Sequence, residues 1–218
     1  MKFEIDIHVT VSRFVKFFVL SDLLFIGGWG FILPIFAVFV INQVVGATVV
    51  TLGISAAIYW IVKSLIQIPI ANFLDKTDGE RDDFYVLVGG LVLAGVTALL
   101  FSQIKEVWQL YAVEVVHAIA FGLYVPSWTG MFSRHLDKKH ESLDWSLNST
   151  TVGIASGITG LAGGALASWV GFSAVFFLAA FFCFAAAALI FAVPDIIFPK
   201  QKTNQPQEIY IKDHAPLK

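Results

Sequence analysis

The sequence predicts an all-α, polytopic membrane protein with six transmembrane helices arranged as two inverted three-helix repeats. Three observations predict it. First, the 218 residues are 57% hydrophobic and 14% charged, against roughly 25% charged in an average soluble domain, and mean hydropathy is +0.79. Second, charge is gathered: seven of the nine residues from Asp75 to Asp83 are charged, between the apolar runs Val49–Phe73 and Phe84–Ile104. Such a knot cannot enter hydrocarbon, so it reads as a water-exposed loop joining two spans. Third, a pattern recurs. Gly30 to Pro34 and Gly122 to Pro126 are both Gly-x-x-x-Pro, and an acid stands twelve residues before each proline, Asp22 and Glu114.

The elements follow in order. Residues 1–14 read as a cytoplasmic segment in which Lys2 to Val11 alternates polar and apolar, a strand-like period. Glu208 to Lys212 alternates likewise. Two readings stand: two loose polar tails, or a paired ribbon, which is marginal alone in water. Spans are expected at Val15–Ile41, Val49–Phe73, Phe84–Ile104, Val107–Phe132, Leu147–Val170 and Phe172–Val193. Each has the roughly 20 residues that cross about 30 Å of hydrocarbon. The first run is too long for a signal-peptide core and reads as an uncleaved first span. The six spans form one transmembrane domain, 15–193, with repeats at about 15–104 and 107–193. Pro194 and Pro199 end the last span, and 194–218 is a polar cytoplasmic tail.

Lysine and arginine set the orientation. Twelve of the fourteen fall in the N-terminal segment, the loops after spans two and four, and the tail; Lys105 alone lies in the opposite loops, and Lys63 lies within a span. This is a positive-inside pattern, so both termini are expected in the cytoplasm of a multi-pass protein of the plasma or inner membrane. The Asn148-Ser149-Thr150 sequon then lies on the cytoplasmic side and reads as chance.

Several classes are disfavoured. One cysteine, Cys183, in an apolar run allows no internal disulfide and no thiolate metal site. His135 and His140 around Lys138 and Lys139 are too few for a metal site. No cofactor or metal is implied. A net charge of −2 gives no reason to expect nucleic acid. No Ser/His/Asp set or phosphate loop supports an enzyme.

Ionisable groups inside spans are functional candidates by default: Asp22, Lys63 and Glu114, with His117 as a further titratable group. Two readings of Asp22 and Lys63 are open. Either they pair, or Lys63 snorkels and Asp22 sits in water near the membrane edge. Glu114, His117, Phe121, Tyr124 and Trp128 share one helical stripe at roughly 100° per residue. Glu114 and His117, one turn apart, are placed to share a proton or to tie two helices together. Trp29 falls on the Asp22 stripe, and Tyr59 and Gln67 fall on the Lys63 stripe. Aromatic walls with few polar groups suit a small, partly apolar or ring-shaped solute. Gly153, Gly157, Gly160 and Gly164, with Gly163 beside them, give span five a face for close helix approach, within the chain or to a partner.

This order of features resembles the major facilitator superfamily, specifically its N-terminal six-helix half. Asp75 and Lys76 fill the D-R places of the superfamily's G-x-x-x-D-R-x-G-R-R loop, with Gly79 and Arg81 in the later places. Ala71 replaces the first Gly, and one residue is inserted before Gly79. Glu114-x-x-His117-Ala118 stands where R-x-x-Q-G is usual, so the role of that Arg does not transfer. Thr159 to Gly164 resembles G-P-x-x-G-G without the Pro. The resemblance implies that spans one and four line a cavity, two and five meet another half, and three and six face lipid. It implies a cytoplasmic gate at Asp75, Lys76, Gly79 and Arg81, and a homodimer or second half-transporter that completes the pathway. The function expected is secondary-active transport of a small solute by alternating access, with proton coupling. The alternative is a non-transporting subunit packed against another membrane protein.

Overall fold

A computed structural model describes residues 11–77 and 79–193. Among them are seven helices: α1 (Arg13–Ile32), α2 (Phe36–Gln43), α3 (Val49–Leu74), α4 (Arg81–Phe101), α5 (Val107–Arg134), α6 (Glu141–Trp169) and α7 (Phe172–Phe191). All but α2 are long and apolar enough to cross a membrane. The two tails expected to be loose or paired lie outside the described residues.

Local chemistry sets the ends. The Ser12 hydroxyl caps α1 by accepting the Val15 N–H at 3.2 Å, and Thr48 and Thr51 form a reciprocal capping box at the start of α3. Gly79 and Gly171 turn the chain at φ +100° and +104°, the left-handed region that glycine enters without strain.

The first expected span is not one helix. It breaks at Leu33-Pro34-Ile35 and resumes as α2. Proline donates no N–H, and its ring crowds the carbonyl four residues back. Pro126 stays inside α5, where Ser127 Oγ donates to the Leu123 carbonyl at 2.8 Å and Thr129 Oγ1 to the Val125 carbonyl at 2.6 Å.

By alternation, the near side of the bundle carries the start of α1 and loops 75–80 and 135–140. The far side carries loops 44–48 and 102–106. Backbone contacts agree: the Val45 N–H donates to the Lys105 carbonyl at 2.8 Å on the far side, and the Ser12 N–H donates to Asp137 at 2.9 Å on the near side.

Packing obeys an exchange rule. The close pairs are α1 with α6 and α7, α5 with α3 and α4, and α4 with α7. Exchanging α1 with α5, α3 with α6 and α4 with α7 returns the same set. Contact residues exchange too. A Cβ on Gly30 of α1 would meet Ser156 and Thr159 of α6; one on Gly122 of α5 would meet Lys63 and Ile66 of α3. Gly122 is 92 positions after Gly30, and Ser156 and Thr159 are 93 after Lys63 and Ile66. Lipid supplies no hydrophobic drive between helices, so such close backbone approaches carry the association.

The buried centre is α4, α7, α1 and α5: Leu87, Leu91, Phe25, Met131 and Cys183 are inaccessible. α3 and α6 end the arc and are the least covered of the six.

Candidate functional site

α1 and α5 face each other across side chains that form two polar clusters, one toward each side of the bundle.

The far cluster centres on Glu114, which is 4% exposed. Its Oε1 accepts the Ser55 hydroxyl from α3 at 2.8 Å, and its Oε2 lies 3.0 Å from His117 Nδ1. The His117 ring is sandwiched: Trp29 of α1 stacks at 4.3 Å and 10°, and Tyr59 of α3 at 4.4 Å and 29°. Phe121 meets it edge-on at 5.0 Å. A carboxylate on one ring nitrogen and aromatic faces on both sides fix the orientation of the imidazole. The cluster opens onto a cavity of about 530 Å³ lined by Trp29, Ser55, Tyr59, Glu114, His117 and Phe121, with Ser156 and apolar side chains completing the wall.

The near cluster centres on Asp22, 6% exposed. Tyr124 of α5 donates its hydroxyl to Asp22 Oδ1. Asn148 of α6 donates Nδ2–H to Oδ2 at 2.8 Å. Phe25 covers Tyr124 at 4.3 Å. Trp128 lies one turn beyond, 6.1 Å from Trp145.

The clusters obey the same exchange. Each acid on the first helix of one repeat is hydrogen-bonded from the second helix of the other: Asp22 by Asn148, Glu114 by Ser55. The acids are 92 positions apart, and their partners 93.

Asp22 and Lys63 do not pair. Lys63 Nζ lies over the Trp60 and Tyr59 rings, 4.6 and 5.5 Å from their centroids. Helical side chains lean toward the helix N-terminus; α3 starts on the far side, so Lys63 leans away from Asp22. Gln67, on the same stripe, does not line the cavity. Span five does not turn its whole glycine face outward. A Cβ at Gly163 would lie 2.2 Å from the Phe31 carbonyl oxygen, so α1 already occupies that position, and Gly160 abuts Gly30 and Pro34 at 3.7 Å; Gly153, Gly157 and Gly164 are open.

In the near-side loop, no ion pair of Asp75, Lys76 or Arg81 forms among the described residues; Gly79 shapes the turn, Asp75 caps α3 and Arg81 begins α4. Arg134 pairs with Asp83 at 2.7 Å and with Glu80 at 3.1 Å, and His135 lies 3.5 Å from Glu80, joining the end of α5 to the start of α4. Acids in a first helical turn and a cation in a last turn oppose the helix dipoles correctly, which was the available signal for this latch. Ser55 and Asn148 are each one of several hydrogen-bonding residues in their helices, and nothing within one helix singles them out. The repeat relates them at an offset of 93, one more than the 92 that relates the two acids.

Six membrane-crossing helices around two buried acids define an integral, multi-pass membrane protein with two polar clusters in its interior. The chain matches the Major Facilitator Superfamily over residues 18–216 and belongs to that family of membrane transporters. Among solved structures it is similar to the POT family transporter PepTSo, crystallised in meso: TM-score 0.67, 12% identity, over 85% of this chain and 38% of that one. The chain thus spans well under half the length of that transporter. No curated protein matches it.

Proposed function

We propose that the chain carries a small, partly apolar solute across the membrane by alternating access, with protons coupled through Glu114, His117 and Asp22. The observation that carries this reading is the far-side cavity reaching the Glu114–His117 pair. A packing subunit has no use for a void that exposes a carboxylate and an imidazole, and burying such groups without function is costly. Trp29 and Tyr59 hold the imidazole and wall the solute. His117 Nδ1 and Glu114 exchange the proton over 3.0 Å.

The near side is cytoplasmic in this reading, with both termini there and the protein in the plasma or inner membrane; the clustering of lysine and arginine supports it. The Asp75–Arg81 loop and the Arg134 latch gate that side. A second copy covers α3 and α6, whose apolar faces, including Ile61, Leu65, Ile158 and Leu161, are open.

The test is uptake into proteoliposomes with an imposed pH gradient, screened over small ring-shaped solutes. Gradient-driven uptake that Glu114→Gln removes, while solute exchange without a gradient persists, supports the reading. Absence of uptake across the screen, in protein whose mass shows a dimer, favours the non-transporting subunit.

A further inference from the structure

We propose that Asp22, Tyr124 and Asn148 form a second solute station, the closed counterpart of the cavity at Glu114, which opens to the near side as that cavity closes. The proposal rests on the transport reading and says which residues the solute meets on the other side.

The exchange rule names the station. Applied to the lining of the far cavity, it turns Leu33, Ser55, Glu114 and Ser156 into Val125, Asn148, Asp22 and Lys63. Both carboxylates already hold an equivalent hydrogen bond from the opposite repeat. The two regions differ in openness. Leu33 is 80% exposed, while its counterpart Val125 is packed against the core.

One residue accounts for that difference. Tyr124 reaches from α5 to Asp22 and bolts α1 to α5 on the near side. Its counterpart on the far side is Ile32, which has no hydroxyl to reach Glu114. The far side therefore lacks a bolt and stands open.

An independent observation points to a ligand or water at the near station. Trp128 Nε1 and Asn148 Oδ1, a donor and an acceptor on side chains 3% and 7% exposed, have no hydrogen-bond partner among the described residues. Buried polar groups are nearly always paired. Opening the station would give both a partner, in water or in a solute carrying a donor and an acceptor.

The experiment moves the bolt. In a Cys183→Ala background, Leu33→Cys and Val125→Cys are labelled in separate proteins with a water-soluble maleimide, and rates are scaled to those in denaturing detergent. The parent should label at Leu33→Cys and be protected at Val125→Cys. Tyr124→Phe removes one hydrogen bond and should raise Val125→Cys labelling about fivefold. The exchange Tyr124→Ile with Ile32→Tyr should go further, with Val125→Cys reactive and Leu33→Cys protected.

A rise at Val125→Cys with Leu33→Cys still reactive in the exchanged protein would mean local loosening and would overturn the proposal. So would no rise in Tyr124→Phe. Reciprocal labelling without uptake would retire the transport reading and leave the paired stations; uptake with unchanged labelling would retire the second station alone.

Discussion

Alanine at Gly163 and alanine at Gly164 are expected to act in opposite directions on stability. Both glycines lie in α6, so each substitution gains the same helix propensity, roughly 1 kcal/mol. They differ in what a methyl group meets. At Gly164 nothing lies within 4 Å; at Gly163 the Cβ would sit 2.2 Å from the Phe31 carbonyl oxygen and 2.9 Å from its carbonyl carbon and Cα. Both neighbours at Gly163 are backbone, so no side chain can swing aside. Reaching ordinary contact of 3.4 Å or more requires α1 and α6 to part along their length. Overpacking of this kind costs about 1–3 kcal/mol. Taking about 2 kcal/mol, Gly163→Ala should melt about 4–8 °C below Gly164→Ala. Cys183 is the only cysteine and is inaccessible, so a thiol-reactive fluorophore that reports its exposure on heating reads the transition directly. Equal melting temperatures for the two variants would refute the α1–α6 contact, and with it the register that places Asn148 on Asp22.

Three further outcomes are expected. Lys63→Met breaks no ion pair, and its stability should stay within about 0.5 kcal/mol of the parent; a loss of several kcal/mol in thermal unfolding would restore the Asp22–Lys63 pair. Arg134→Ala strands Asp83, which is 1% exposed, at a cost of about 1–3 kcal/mol. Adding Asp83→Asn should recover much of that loss in the same melting assay, and additive losses would argue against the latch. Gly157→Leu fills an open position on α6 and should convert a dimer to a monomer by mass measurement in detergent, whereas Gly163→Ala should lower stability first; an unchanged mass would place the partner elsewhere.

Much of the fold could be read because the membrane simplifies the problem. Twenty apolar residues bounded by charge have few alternatives in a bilayer. The repeat could be read from Asp22, Glu114 and the two prolines. Pro34 and Pro126 looked equivalent but act differently: the helix breaks at Pro34, whereas α5 runs through Pro126. The site was half legible. Glu114 and His117 share a helix, and a turn's spacing fixes their meeting. Asp22's partners come from α5 and α6, and no spacing within one helix reveals them. Of the two readings of Lys63, charge alone favours a pair with Asp22, whereas the direction in which a helical side chain leans carries it toward Trp60 and Tyr59.

The hydrogen bond between Asp22 and Asn148 also bears on how the chain is made. The two residues are 126 positions apart, and synthesis at about 5–20 residues per second separates their emergence from the ribosome by about 6–25 s. Tyr124 comes only shortly before Asn148. Throughout that interval the first span holds a carboxyl that its own repeat cannot satisfy. The nascent helix must therefore wait in a wet or protein-lined compartment before it is released to lipid. Chains arrested before residue 124 should remain crosslinkable to the insertion machinery, and chains arrested well beyond residue 148 should not.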